Sequence, residues 1–362
     1  MKYLLSAVAV VTVALLGVLA WAWQSVVWYE PVVEVATSCD APTSPWSQQQ
    51  PLKVLSYNVQ YMASKNYFFF YDAEGGTDTQ PSLEHTRWTL DQVANIVRNE
   101  NPDLLLLQEI NDQHDARTHY VDQVAELQQR LGEMAYPCRA DAHYWQAGMV
   151  LHPKVFGAVS MKLTTLSRYP MDQARRHQLP LMDNDAITQR FYFQRALLET
   201  HLTSVEGQEV AVINTHFDAW GAGSDLMQRQ VATAQAVLDE LDESNTPWIF
   251  GGDFNSLPPD NQQQWQRLED DGVGEYDADT ALTPLYDRYG AVPALQDLMG
   301  DDVAKWYTHF SNDPRVTEPD RTIDYLFFSN AWQVSDAHVR QSDTLDVSDH
   351  LPVVATFHLP AK

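Results

Sequence analysis

Between residues 86 and 99 the apolar positions Leu90, Val93, Ala94 and Val97 recur at the spacing of one helix face, and Asn101-Pro102 closes the segment. Leu104 to Leu107 then runs apolar without a break. That is the pattern of a strand buried on both faces, and it delivers Gln108 and Glu109 at its carboxyl end. The same reading predicts strands over 53–60, 136–143, 148–152, 161–166, 193–201, 210–216, 247–255, 322–328 and 353–358. Further helices are predicted over 120–131 and over 224–241, the latter behind Ser224 as N-cap. Residues 168–189 read as a long polar loop and 258–302 as loop-rich. No repeat or heptad pattern is visible, and strands and helices mix too irregularly for a barrel. One α/β domain over 52–362 is the simplest organisation.

The central run is Pro247-Trp248-Ile249-Phe250, which breaks into Gly251-Gly252-Asp253-Phe254-Asn255-Ser256-Leu257-Pro258. An apolar strand opening into glycines, a carboxylate and an amide is where open α/β sheets keep their chemistry. If the pleat persists, Asp253 and Asn255 point to the same side. The bland alternative is a Gly/Asn/Pro turn.

The amino terminus differs in kind. Residues 4–23 are almost uncharged and long enough to span a bilayer, with Lys2 before them and Glu30 after. Ala20-Trp21-Ala22 resembles a cleavage site, so a signal peptide rivals an uncleaved anchor. Trp21, Trp23, Trp28 and Tyr29 favour the anchor as interfacial aromatics. The expectation is an anchor or signal peptide over 1–29, a linker without a core over 30–51, and an exported body. That body faces the periplasm or exterior on a membrane anchor, or is secreted if the segment is cleaved. Cys39 and Cys138 are the two cysteines, and sequence leaves their pairing open. The aromatic run 67–71, followed by an acidic glycine loop, reads as a strand and turn, a pocket wall or a membrane-dipping segment.

Charge narrows the partners. With 23 Lys and Arg against 49 Asp and Glu among 362 residues, the net charge is -26, which disfavours tight non-specific nucleic-acid binding. Arg175-Arg176-His177 is the one compact basic cluster and reads as a solvated loop.

Several predicted strands end or begin at a residue suited to phosphate chemistry: Asn58, Glu109, His216, Asp253 with Asn255, and Asp349 with His350. A lone residue of this kind is usually a turn or a solvated charge. Together they supply metal-binding oxygens, imidazoles and amides.

Six stretches resemble the endonuclease/exonuclease/phosphatase, or DNase I-like, superfamily in its order along the chain. They are Leu55-Ser56-Tyr57-Asn58-Val59, Leu106-Leu107-Gln108-Glu109, Asn214-Thr215-His216-Phe217, Gly252-Asp253-Phe254-Asn255, Thr322-Ile323-Asp324-Tyr325-Leu326 and Ser348-Asp349-His350-Leu351-Pro352. Leu166-Ser167-Arg168-Tyr169-Pro170 resembles a further segment that supports the site. The resemblance implies a four-layer α/β sandwich, two packed mixed sheets flanked by helices.

The resemblance also implies roles. Glu109 becomes the main Mg2+ ligand, with Asn58 beside it and Asp349 as a further carboxylate; Mn2+ would substitute. Asp253 orients and deprotonates the attacking water, and Asn255 holds that water or a phosphate oxygen. His216 and His350 donate to the phosphoryl oxygens, with Asp324 behind His350. Arg195 is left between a phosphate contact and a structural ion pair. The function implied is an exported, membrane-tethered, Mg2+-dependent phosphoester hydrolase, leaning to a small or lipid phosphodiester. An extracellular or periplasmic nuclease is the alternative within that chemistry, and a silent binding module the alternative outside it.

Overall fold

In the computed structural model, which describes residues 2–41, 43–132 and 136–360, two seven-stranded mixed sheets lie face to face and helices cover their outer sides. In chain order the strands are β1 (Val32–Glu34), β2 (Thr37–Cys39), β3 (Leu52–Asn58), β4 (Leu104–Asn111), β5 (Cys138–Val150), β6 (Gly157–Ser167), β7 (Gln173–Gln178), β8 (Ala196–Thr203), β9 (Glu209–His216), β10 (Trp248–Asp253), β11 (Gly290–Val292), β12 (Asp324–Phe328), β13 (Gln333–Val339) and β14 (Val353–His358). One sheet runs β1-β7-β8-β9-β10-β12-β11, the other β13-β14-β3-β4-β6-β5-β2. Among these described strands, only β3 with β4 and β9 with β10 pair in parallel. The main helices are α1 (Lys2–Gln24), α2 (Leu83–Glu100), α3 (Gln123–Leu131), α4 (Ala186–Phe191) and α5 (Leu226–Glu243).

The four layers follow from the pleat, because successive side chains of a strand face opposite ways. Leu104 and Leu106 of β4 enter the core between the sheets, while Leu105 and Leu107 meet α2 and α3 on the outside. On β9, Val210 and Val212 face inward and Ala211 and Ile213 meet α5. Each such leucine, fully buried, contributes on the order of 1.5–3 kcal/mol. Four leucines in a row nevertheless leave β4 free to slip by one residue without exposing anything apolar. Gln108 removes that freedom. Its Nε2 donates across the inter-sheet space to Asn214 Oδ1 of β9 (2.7 Å), and Asn214 Nδ2 donates back to the Leu107 carbonyl (3.1 Å).

α2 begins at Ser82, whose hydroxyl accepts from His85 N (3.2 Å), and ends at Asn101 in the left-handed conformation that stops a helix.

Several expectations need correction. The polar stretch 168–189 is not a loop: it holds β7 and α4. β7 carries no apolar run, since Arg176 occupies an inward position, donates to the carbonyls of His143 (2.9 Å) and Gln194 (2.7 Å), and lies over the Tyr29 ring. The basic cluster Arg175-Arg176-His177 is therefore not solvated; His177 is also buried and bonded to Glu199 (2.5 Å). The expected linker contributes an edge strand to each sheet, β1 beside β7 and β2 beside β5, with Cys39 disulfide-bonded to Cys138. Strands predicted over 136–143 and 148–152 are one strand, β5. The cap position of α5 falls to Asp225, whose carboxylate makes no cap bond and accepts from Arg229 Nε (2.8 Å), while Ser224, one residue earlier, donates to the Gly221 carbonyl (2.7 Å) and accepts from Leu226 N (3.3 Å). The segment from Leu166 to Pro170 leaves β6 beside Leu104, the far end of β4 from Glu109. The aromatic run forms a turn in which buried Phe69 stacks on Tyr67 and Tyr71.

Candidate active site

The same period of two that divides the core also assembles the site. Continuing the inward-facing positions of each strand to its end gives Asn58 on β3, His216 on β9 and Asp253 on β10, and the first inward position of β12 is Asp324. Because β3 and β4 run parallel, as do β9 and β10, their carboxyl ends meet at one edge of the sandwich. His216 and Asp324 flank Asp253 in register.

Glu109 has the wrong parity for this face. A register shift in β4 between Leu107 and Ile110, with Glu109 at φ 53°, turns it back toward Asn58 (3.3 Å). A bulge that re-aims a side chain, at a backbone angle few carboxylates adopt, is a feature found beside functional centres. Gly251 and Gly252 are fixed by crowding. A Cβ on Gly251 would lie 2.4 Å from Leu326, and one on Gly252, at φ 148°, would lie 2.0 Å from the Thr215 carbonyl oxygen.

Asp253 is the hub. Its Oδ2 accepts from Asn58 Nδ2 (2.9 Å) and lies 3.2 Å from His216 Nε2 and 3.5 Å from His350 Nε2. Its Oδ1 accepts from the backbone N of Asn255 (2.9 Å). His350 Nδ1 donates to Asp324 Oδ2 (2.9 Å). Asp349 accepts from Gln60 Nε2 (2.8 Å), and Ser348 ties this loop to the Asn58 carbonyl (2.9 Å).

Electrostatics separates the two imidazoles. Burial, helped by Arg195 and His350, holds His216 well below the usual range, so it is neutral. Its Nε2–H then donates to Asp253 while Nδ1 accepts from the Tyr144 hydroxyl (3.3 Å). For His350 burial is the largest influence and opposes charge, but Asp324 and Asp253 outweigh it and raise the ring far into the protonated range. Asp253 is itself raised, chiefly by burial and then by Asp324, against the pull of His350. Glu109 and Asp349 are both raised by burial, and Asp349 adds to the effect on Glu109. Asp72, lifted to about 8 by burial and then Asp349, completes this acidic corner.

Buried carboxylates that repel one another and face a cavity are a donor set suited to a divalent cation, which prefers a few carboxylates plus water and substrate oxygens. Ligand atoms of Asp253, Asp324 and His350 lie within 4.8 Å of one another, as do those of His309, Asp349 and His350, but a protonated His350 offers no lone pair to a cation. Asn58 presents its amide nitrogen to the carboxylates and its oxygen to Gln60 N (3.0 Å). In this arrangement it clamps the acids; ligating a cation would require a half-turn of the amide.

Asn255 departs from the expected pleat. β10 ends at Asp253, Asn255 turns to φ 45°, and its Nδ2 donates to the Phe217 carbonyl (3.1 Å) while the residue still lines the cavity. Arg195 is buried 3.5 Å from Asp218, and its Nε and Nη1 have no hydrogen-bond partner among the described residues. Three residues escaped the sequence reading. Gln60 lies two positions past Asn58, and Tyr144 is an inward position of β5. His309, whose ring meets His350 edge-on (4.6 Å), arrives from a loop that carries no pattern.

Glu109, His216, Asp253, Asn255, Asp349 and His350 line one cavity of about 1650 Å³, with Phe70, Tyr71 and Arg195. Residues 55–350 match the profile of the Endonuclease/Exonuclease/phosphatase family. The fold is similar to an endonuclease/exonuclease/phosphatase from Beutenbergia cavernae, at 22% identity over 86% of this chain and 72% of that one, TM-score 0.56. It is also similar to ANGEL2, a 2',3'-cyclic phosphatase solved with adenosine-2',3'-vanadate, at 14% identity over 90% and 99%, TM-score 0.56. The human Nocturnin catalytic domain with bound sulfate is similar at 18% identity over 88% and 97%, TM-score 0.51. No curated protein matches the chain by sequence.

Proposed function

The chain belongs to the endonuclease/exonuclease/phosphatase family, whose members hydrolyse phosphoester bonds, and on that premise we propose that it is a Mg2+-dependent hydrolase of a small or lipid phosphodiester, held at a membrane by its amino-terminal helix. The observation that carries the proposal is the position of Asp253, a buried carboxylate touching Asn58, His216 and His350 beside the Glu109 and Asp349 acids.

Each group then has one task. Asp253 accepts a proton from water as the water oxygen bonds to phosphorus and the bond to the leaving oxygen breaks; its raised affinity for a proton suits a base working near neutral pH. Asn255, in the cavity wall beside Asp253, steadies the water or a phosphoryl oxygen. His350, kept protonated by Asp324, donates from Nε2 to a phosphoryl oxygen as negative charge grows there. His216 donates as a neutral ring of fixed tautomer, and Arg195 offers an unpartnered N–H. Glu109 and Asp349, with Asn58 after rotation of its amide, would hold Mg2+ or Mn2+. Bound there, such a cation would supply Lewis-acid polarisation of the phosphoryl group and neutralise charge on the leaving oxygen.

We assign residues 1–29 to the anchor and 52–362 to the catalytic body, with 30–51 strapping the edge strands. α1 is apolar over Leu5–Gln24 at a mean hydropathy of 2.4, and the Cys39–Cys138 disulfide suits an oxidising compartment, the periplasm or exterior. The test is turnover of bis-p-nitrophenyl phosphate by the full chain in detergent, with Mg2+ and then with excess chelator. Turnover indifferent to chelator would refute the metal role.

A further inference from the structure

The cavity that holds the acids is larger than a phosphodiester group requires. Ligand pockets for whole small molecules occupy roughly 300–1,000 Å³, and this one reaches about 1650 Å³. Its lining includes Leu19, Ala22 and Trp23 from the last turn and a half of α1, together with Leu151, Ile187 and Trp220 from three separate segments of the body. Those three body residues are 46%, 64% and 41% exposed, an apolar rim at the mouth of an otherwise strongly acidic protein.

α1 is fastened to the body where the rim begins. Gly148 N donates to the Ser25 carbonyl (3.2 Å) and to its hydroxyl (3.1 Å), Val26 bridges Ala147, and Gln194 Nε2 donates to the Val27 carbonyl (2.7 Å). Trp23 packs edge-on against Phe191 and under Arg190. No flexible spacer separates the apolar helix from the catalytic body. A helix of this length and composition that crosses a bilayer would hold the mouth of the cavity at the interface, with the apolar rim toward the acyl chains.

From this geometry we infer that the outer cavity, formed jointly by the end of α1 and the Leu151, Ile187 and Trp220 rim, is a hydrocarbon subsite, and that the substrate is a phosphoester amphiphile taken from the bilayer that α1 spans. The inference rests on the hydrolase reading above and adds the class of substrate to it. The tail lies along α1 and the rim, and the phosphate reaches Asp253. The net charge of -26 is of little consequence to a substrate delivered by partition into the membrane, whereas it opposes a free polyanion.

Two esters with the same reacting group test the inference. The full chain is reconstituted in phosphatidylcholine vesicles and given p-nitrophenyl methyl phosphate, or p-nitrophenyl hexadecyl phosphate incorporated in the same vesicles. The expected result is kcat/KM higher for the hexadecyl ester by about a hundredfold, and a Leu151→Ser/Ile187→Ser variant about tenfold poorer on that ester alone. Both substitutions are at exposed positions, and an unchanged rate on the methyl ester reports that the protein is folded. Equal kcat/KM for the two esters, or a variant that lowers both or neither, would overturn the subsite while leaving the hydrolase reading intact. Turnover of neither ester by the wild-type chain would overturn both.

Discussion

Asn58 Nδ2 lies 2.9 Å from Asp253 Oδ2, although the two residues end strands of different sheets and are 195 positions apart. The contact closes the inter-sheet space at the site edge, where Asn58 is the register partner of Gln108, whose bond to Asn214 fixes the register of β4 against β9.

Asp253→Asn keeps the shape and one acceptor, for Asn58, but removes the proposed base. Turnover should fall about a hundredfold or more. A far-ultraviolet circular dichroism spectrum matching wild type, taken on the same preparation, assigns the loss to chemistry rather than to folding.

Asp324→Asn acts through His350. Losing the carboxylate that accepts from Nδ1 lowers the pH at which the ring gives up its proton. We expect turnover about 10–100-fold lower and the alkaline limb of the kcat/KM profile displaced to lower pH. A rate loss with an unmoved limb would mean that Asp324 is merely structural.

How much of this was legible in the sequence depends on parity. The apolar runs of β4, β9 and β10 announce strands buried on both faces, and the inward period of two leads to Asn58 at the end of β3, His216 at the end of β9 and Asp253 at the end of β10. Glu109 is on the outward parity, and its place in the site needs a bulge that no pattern of apolar residues reveals. β7 stayed hidden because one of its inward positions is an arginine, held by two carbonyls and the Tyr29 ring that only tertiary structure supplies. The edge strands β1 and β2 have three residues each, too short for any periodicity to emerge from the prolines and serines around them. His309 reaches the site through long-range bridges from its loop to Arg321 and His350.

Away from the site, Glu199 joins His177 (2.5 Å) and His201, and His201 Nδ1 reaches Glu209 (2.6 Å). Burial pushes Glu199 up, but its two histidine partners outweigh that and hold it at about 2, against 4.5 unperturbed. Its contribution to stability is therefore full above pH 4.5 and lost as pH falls toward 2. His201 is raised above 6.5, since Glu199 and Glu209 overcome its burial, so its contribution is full below 6.5 and declines at higher pH. Glu199→Gln should cost about 3–5 kcal/mol at pH 6. The Tm difference from wild type should shrink on both the acid and the alkaline side. A difference constant from pH 3 to 8 would contradict the assignment.

Gly252→Ala places a Cβ 2.0 Å from the Thr215 carbonyl oxygen at φ 148°. Backbone strain of this kind costs roughly 1–3 kcal/mol before any clash is counted. Tm should drop, and turnover should fall as Asp253, the next residue, is displaced. Calorimetry with a parallel rate measurement would detect either outcome.

The central claim is that Asp253 and the neighbouring Glu109 and Asp349 acids form one metal-dependent phosphoester-cleaving centre. Its most direct test is the rate of bis-p-nitrophenyl phosphate hydrolysis by the full chain through one cycle of Mg2+, excess EDTA and Mg2+ restored, run beside Glu109→Gln. Turnover is expected to vanish with EDTA, to return with Mg2+, and to be absent from Glu109→Gln throughout. Turnover that persists in EDTA, or a Glu109→Gln rate equal to wild type, would contradict it.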